Sequence, residues 1–503
     1  MTEQQEIVFK REQILKKVLF AGIQQYNDTH FPLEIELMQK HVDLGDEVYL
    51  LFCDSDIPHN CGTENLVPNC DYCRKKLKAL LKMTKLDNKI NLIKMPSFKH
   101  ELKFSKFNDF EELRQLKLDE YDIGNAIASM LISIKRDTHI EITEKLRTHI
   151  DIQLNYAYSF AKWLEIILDD YNFDSLFTFN GRPVLQRMCL RVCQKKEVFC
   201  EVYEHGFLPN KYVIFENTFA QDLKYRKKQI DVCWESEENF DKKETIAIDW
   251  YKKMLHNSFV KKQNTAAKIN LNKSKKNIAI FISSEDEFEC FDEWRSPLYR
   301  NQNDGLQKLL DYEEWDNVHF TVRVHPNLSN LDNEQTKFLN SIQSDRMTVI
   351  SAESEISSYK LMELADIILA YGSTVGIEAC YSKKPVILAG RATYEDLGGF
   401  WKPNTHEELC ELINDFALTD YDYEGAYISS IKYAWFCCTF GYDLKYFKQT
   451  ANSEIEYIGE GSSDHFTKIY MRLFRFWSTL KYATKNKILI QAIKNKLRKE
   501  FKE

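Results

Sequence analysis

Short apolar runs alternate with helix-length segments along most of this chain. That alternation limits the fold more than any other feature of the sequence. In the first half, Lys17–Gly22, Glu47–Phe52 and Lys89–Ile93 read as strands, with helices over Leu33–His41 and Asp71–Met83. A helical stretch follows from about Phe110 to Asp170. After it come a strand at Ser175–Phe179, a helix over Pro183–Gln194 and a strand at Val198–Tyr203. Strands joined by helices pair in parallel, because a helical crossover returns the chain to the same end of the sheet. The expectation is an α/β chain with doubly wound parallel sheets.

The alternation breaks over residues 224–276, a charged and polar stretch that includes KKQNTAAKINLNKSKKN and reads as a linker. It then restarts. Ile278–Ile282, Val318–Val324, Met347–Ile350, Asp366–Tyr371 and Pro385–Ala389 read as strands. Ser357–Ala365, Ser373–Tyr381 and His406–Phe416 read as helices. The expected division is residues 1–223, a Rossmann-like domain with a helical insertion at about 105–170; the linker 224–276; a second Rossmann-like domain at 277–450; and C-terminal helices at 451–503. Two such domains facing a cleft make a natural ligand site.

Composition excludes several classes. With 503 residues the chain is too long for one ordinary core, and 44% apolar with 29% charged residues is a globular balance. A net charge of -8 argues against a general nucleic-acid binder, so no nucleic-acid partner is expected. No run of about 18 apolar residues occurs, and the polar start MTEQQEIVFKREQILKK lacks a secretion signal's apolar core. A cytoplasmic location is expected, with the 13 cysteines reduced. From Lys481 onward, eight basic and two acidic residues give 8 - 2 = +6, and Ile490, Ile493, Leu497 and Phe501 share a helical face. Such a helix suits peripheral contact with an anionic inner membrane, or packing on the protein with a solvated basic face.

Three segments of the second half end strands and open loops: the one with Ser284, the one with His325 and Pro326, and the run Gly372-Ser373-Thr374. Ligands of doubly wound sheets bind at the carboxyl ends of strands. Gly372-Ser373-Thr374 would place a helix N-terminus and hydroxyls there for an anion, and Glu378, one turn on, would reach a ribose. His325 would donate to a phosphate oxygen, with Pro326 fixing the turn. Read one by one, these residues are a turn, a cap and a surface acid. Their joint order and spacing are far more specific.

The combination RVHPN, ADIILAYGSTVGIEA and KKPVILAG resembles the nucleotide-binding half of bacterial surface-polysaccharide glycosyltransferases of the two-Rossmann-domain architecture called GT-B. It is similar to the capsule Kdo transferase, polysialyltransferase and CDP-glycerol transferase families. Those share a His-Pro motif and a Ser-Ser or Ser-Thr motif that hold a cytidine nucleotide. The resemblance implies that His325, Ser373 and Thr374 contact donor phosphates and that Glu378 contacts the ribose. FTFNGRPVLQR and VYEHGFLPNKYVIFENT also resemble capsule-synthesis transferases. It thus implies a nucleotide-sugar domain in the second half and an acceptor domain in the first. The reaction would move a sugar from a CMP- or UDP-linked donor to a lipid-linked or growing surface glycan, as in capsule or lipopolysaccharide synthesis. The alternatives are a CDP-glycerol-type polyol-phosphate transferase, a nucleotide-sugar epimerase, or a non-catalytic scaffold of polysaccharide assembly.

Glycosyl transfer needs a base for the acceptor hydroxyl. Glu204 and His205, just past an expected strand, are the candidates, with Asp28 and His30 next. Asn180 and Arg182, after the neighbouring strand, would bind substrate. No Asp-x-Asp is read as the metal-binding motif of metal-dependent transferases, so no cofactor is expected for catalysis. Cys53, Cys61, Cys70 and Cys73, ending in C-x-x-C, have the ligand count of a structural zinc site, the alternative being an incidental group around a buried strand end.

Overall fold

A computed structural model describes residues 15–23, 30–53, 70–98, 107–262, 274–415, 421–449 and 455–459. The strands of the first half are β1 (Lys17–Phe20), β2 (Glu47–Phe52), β3 (Asn91–Lys94), β4 (Ser175–Phe179), β5 (Phe199–His205) and β6 (Lys211–Glu216). The second half holds β7 (Lys276–Phe281), β8 (Val318–Arg323), β9 (Met347–Ile350), β10 (Ile367–Ala370) and β11 (Val386–Leu388). Near the end lie β12 (Tyr442–Asp443), β13 (Phe447–Gln449) and β14 (Ile455–Tyr457). The chain forms two compact units: residues 1–127, 142–220 and 441–503 make the first, and residues 128–141 and 221–440 the second.

The first unit carries a sheet of order β12-β6-β5-β4-β1-β2-β3. β1 to β5 pair in parallel, while β6 and β12 are antiparallel additions at one edge. The chain runs from β1 outward to β3, then returns to the other side of β1 for β4. Val18, Phe20, Leu50 and Phe177 are buried with Ile35 and Met38 of the helix His30–Leu44. These strands have continuous apolar runs because helices cover both faces of a parallel sheet. The last stretch of this unit is held by Glu36. Its buried carboxylate accepts the backbone N–H groups of Lys445, Tyr446 and Phe447 at 2.7, 2.7 and 3.2 Å.

The second unit repeats the same winding in the order β11-β10-β7-β8-β9, with all pairs parallel. β7 is central, and its side chains alternate between two cores. Ala279 and Phe281 face one, and Ile278 and Ile280 face the other. The α/β, doubly wound expectation therefore holds in both units.

Three sequence expectations change. Residues 224–262 are not extended linker: the helices Leu223–Glu235 and Phe240–Lys262 occupy them. Ile230, Ala247 and Tyr251 are buried there, and the Tyr251 hydroxyl donates to the Ser430 carbonyl at 3.0 Å on the helix Tyr423–Thr439. Most described charges of this stretch are exposed or half-buried, with Lys243 buried over the Trp234 ring, and they mask the apolar positions. Residues 128–141, in the first half by sequence, group with the second unit. Glu204 and His205 do not follow β5 but close it, opposite Val213 and Tyr212 of β6, which was not expected. The basic tail from Lys481 lies outside the described residues.

Candidate functional site

In the second unit, strand order reverses at β7, with β8 and β9 on one side and β10 and β11 on the other. Such a reversal leaves a crevice at the carboxyl ends of the strands, because the connections diverge there. Ser283 and Ser284 follow β7, and Tyr371 and Gly372 follow β10. The Ser283 hydroxyl donates to the Tyr371 carbonyl at 2.6 Å and so ties the two strand ends together. Gly372 takes φ +73°, and a side chain there would press on the Arg391 carbonyl and the Phe288 ring. A pocket opens at this point. Glu285, Phe288, Trp294, Gly372, Gly390 and Arg391 line it.

His325 ends the segment after β8 and caps the short 3-10 turn Pro326–Leu328, accepting the Asn327 N–H on Nδ1 at 3.2 Å. An accepting Nδ1 leaves the proton on Nε2. Burial lowers the His325 pKa; Arg323 and Arg136 add to the effect, while Glu287 and Asp286 oppose it. The ring is thus a neutral N–H donor near pH 7, which suits a phosphate oxygen without bringing a charge. Asn327 also donates to Glu287 at 2.9 Å, joining the loops after β8 and β7.

After β10, the helical turn begins at Val375 rather than Ser373. The Ser373 hydroxyl accepts the Val375 N–H at 3.3 Å, and Thr374 is exposed with no capping bond. Glu378 is buried, its pKa raised by desolvation and partly restored by hydrogen bonds from Tyr359 and Thr374. Ser284 is fully buried, and its hydroxyl bonds the Asp286 carboxylate. Sequence reading missed Arg136. Its guanidinium donates to Asp286 at 3.0 Å and to Ser284 at 3.1 Å. Nothing in the linear order places a residue of the first half in this loop; only the packing does. Glu285 was passed over as well. Burial pushes its carboxyl up to about 7 despite the N–H it accepts from Gln302.

In the first unit the same reversal falls between β1 and β4. Asn180 and Gly181 make a left-handed turn after β4, at φ +60° and +76°. The Asn180 side chain donates to Glu204 at 2.5 Å and accepts the Arg182 N–H at 3.3 Å. The other Glu204 oxygen accepts the His205 N–H at 2.8 Å. Burial lowers the His205 pKa, and its buried Nε2 has no hydrogen-bond partner. The His30 ring stacks on Phe179 at 4.0 Å and lies 5.5 Å from the His205 ring. Burial, with His205 and Lys76, pushes His30 down to about 4. Glu34, one helical turn after His30, is fully buried and pushed up to about 7 by desolvation. The Gly22 N–H at 2.9 Å and the Tyr203 hydroxyl only partly offset this.

Asp28 lies outside the described residues. Of the cysteines, Cys53 and Cys73 are half-buried, Cys61 lies outside the described residues, and Cys70 opens the helix Cys70–Met83 with its side chain undescribed. The described residues hold no cluster of three or more His, Cys, Asp or Glu able to bind a metal ion. Two Asp-x-Asp spacings do occur, Asp54-Ser55-Asp56 and Asp420-Tyr421-Asp422, and Asp54, Asp56 and Asp420 lie outside the described residues.

Fold and sites together define an α/β chain of two doubly wound units, each with chemistry-bearing residues at the reversal point of its sheet. Solved structures similar to it include a beta Kdo 2,7 transferase of Thermosulfurimonas dismutans, with 15% identity and a TM-score of 0.32, covering 50% of this chain and 80% of that one. A UDP-GlcNAc 2-epimerase of Neisseria meningitidis has 14% identity and a TM-score of 0.30, covering 83% and 97%. A glycosyltransferase of Rickettsia africae has 13% identity and a TM-score of 0.28, covering 84% and 93%. Likenesses of this size concern the outline of the fold and say nothing of its chemistry. No protein-family model and no curated protein sequence matches the chain.

Proposed function

We propose that this chain is a glycosyltransferase of the GT-B kind, binding a nucleotide-linked sugar in its second unit. One observation carries the reading. Ser284, His325 and the Gly372–Thr374 turn follow β7, β8 and β10, neighbouring strands whose carboxyl ends flank the reversal of one sheet. They supply hydroxyls, a neutral imidazole N–H and a close backbone approach, which is what a sugar-nucleotide phosphate requires. Glu378, held by Tyr359 and Thr374, is the proposed ribose partner. The proposed donor is CMP- or UDP-linked, and the proposed acceptor is a surface glycan or glycolipid.

The first unit is the proposed acceptor side. His205 is the stronger candidate for the base, because its Nε2 is unclaimed while both Glu204 oxygens already accept N–H groups. Glu204 and Asn180 then position the strand end, and Arg182 remains a substrate contact. No catalytic divalent ion enters this scheme, and a zinc at Cys53, Cys61, Cys70 and Cys73 would be structural.

Purified protein incubated with CMP- and UDP-linked sugars tests the class. Slow release of free CMP or UDP, stimulated by glycan acceptor, is expected of a transferase. Interconversion of the sugar with the nucleotide still attached would instead make it an epimerase. Binding without turnover would make it a scaffold.

A further inference from the structure

The loop after β7 presents four acidic residues in five positions, Glu285, Asp286, Glu287 and Glu289. A phosphate brought to Ser284 would meet that negative charge, so the site needs a cation. Two nearby arginines are committed elsewhere. Arg323 is buried and donates to the Val324, Ser351 and Ser354 carbonyls, and Arg391 is paired with Glu395 at 2.7 Å.

Arg136 is as exposed as Arg391 and is likewise paired with a carboxylate, reaching Asp286 with Nε at 3.0 Å and Nη2 at 3.5 Å; it differs in that Nη2 also reaches Ser284 at 3.1 Å. Its backbone sits at φ +53°, a left-handed conformation that is unfavourable for a non-glycine residue. The Asn333 side chain holds it there by donating to the Arg136 carbonyl at 2.7 Å. Upstream, Cys290 lies 3.5 Å from the Ser129 carbonyl and from the Ser133 hydroxyl, which docks this segment on the loop after β7. The placement fixes a planar, two-pronged donor at the loop that also carries Ser284.

We propose that Arg136 is a phosphate-binding residue of the second unit and that Asp286 holds its guanidinium until a phosphate-bearing ligand displaces the carboxylate. This rests on the donor-site reading above. A guanidinium binds a carboxylate and a phosphate with the same two-pronged geometry, so one anion can replace the other without moving the backbone. Asp286 is buried, so its release costs more than opening a surface pair would, and the phosphate's greater charge and two-pronged bonds to the guanidinium must offset that loss.

Calorimetric titration of the full chain with CMP and UDP, with cytidine and uridine as phosphate-free controls, tests this. Asp286→Asn frees Arg136 and should tighten the nucleotides about 3- to 10-fold while leaving the nucleosides unchanged. Arg136→Gln should weaken the nucleotides about 10-fold or more, again sparing the nucleosides. A gain in affinity cannot come from misfolding, so the Asp286→Asn arm stands even if Arg136→Gln is unstable. If both variants weaken binding alike, or change nucleosides as much as nucleotides, the pair is structural and the proposal is overturned. If the parent binds nucleotide and neither variant alters it, Arg136 falls while the donor site stands. If the parent binds neither nucleotide, the donor-site reading fails and takes this proposal with it.

Discussion

His205 gives the sharpest residue-scale consequence. A buried imidazole with a lowered pKa is neutral near pH 7 and gains a proton only below its usual value of about 6.5. As the base, it should give transfer an acid limb below that pH. His205→Gln should cut the rate about 100-fold and flatten the limb. Glu204→Gln should cost less and keep the limb, since the amide oxygen still accepts an N–H. Initial rates from pH 5 to 8 check both, and an unchanged limb in His205→Gln moves the base elsewhere. Glu34 offers a test without turnover. Its folded pKa, about 7, lies above the ordinary carboxylate value, so its proton is bound more tightly in the folded state. That contribution is complete below about pH 4.5 and is lost as pH rises through about 7. Glu34→Gln should therefore raise stability at pH 8 by about 1–3 kcal/mol and change it little at pH 4.5, as read by urea denaturation at the two pH values.

At the scale of elements, the turn after β10 is the part most exposed to substitution. Gly372→Ala puts a side chain at φ +73°, 3.0 Å from the Arg391 carbonyl. It should cost about 1–2 kcal/mol of stability by thermal unfolding and weaken nucleotide binding, because the same position lines the pocket. Unchanged binding would place the nucleotide away from this turn. The strands of both sheets were legible because parallel strands buried on two faces are unbroken apolar runs: Ile278–Ile282 and Asp366–Tyr371 each match an observed strand to within two residues. β6 was not legible. It pairs antiparallel between β5 and the two-residue edge strand β12, with only Tyr212, Val213 and Phe215 buried, a pattern that periodicity assigns weakly. The helices at 223–262 were hidden by their many charges. In the candidate site, Ser284, His325 and Gly372 were legible because each follows a strand. Arg136 and Glu34 were not, since their surroundings depend on which distant segments pack beside them.

At the scale of the whole molecule, two expectations rest wholly or partly on residues beyond those described. A zinc held by Cys53, Cys61, Cys70 and Cys73 would appear as about one zinc per chain on elemental analysis of protein purified without added metal. Folded, metal-free protein would dismiss it. The basic tail should bind anionic vesicles at low salt, and deleting Lys485–Glu503 should abolish that binding; protein that never binds such vesicles would end the membrane reading. The central claim is that the second unit holds the donor nucleotide at the reversal of its sheet. Calorimetric titration of CMP and UDP into the parent and into His325→Ala tests it most directly. The account predicts that the parent binds at least one of them and that the variant loses about 1.5–3 kcal/mol, roughly 10- to 150-fold in affinity. Equal binding by parent and variant, or no binding by the parent, would contradict it.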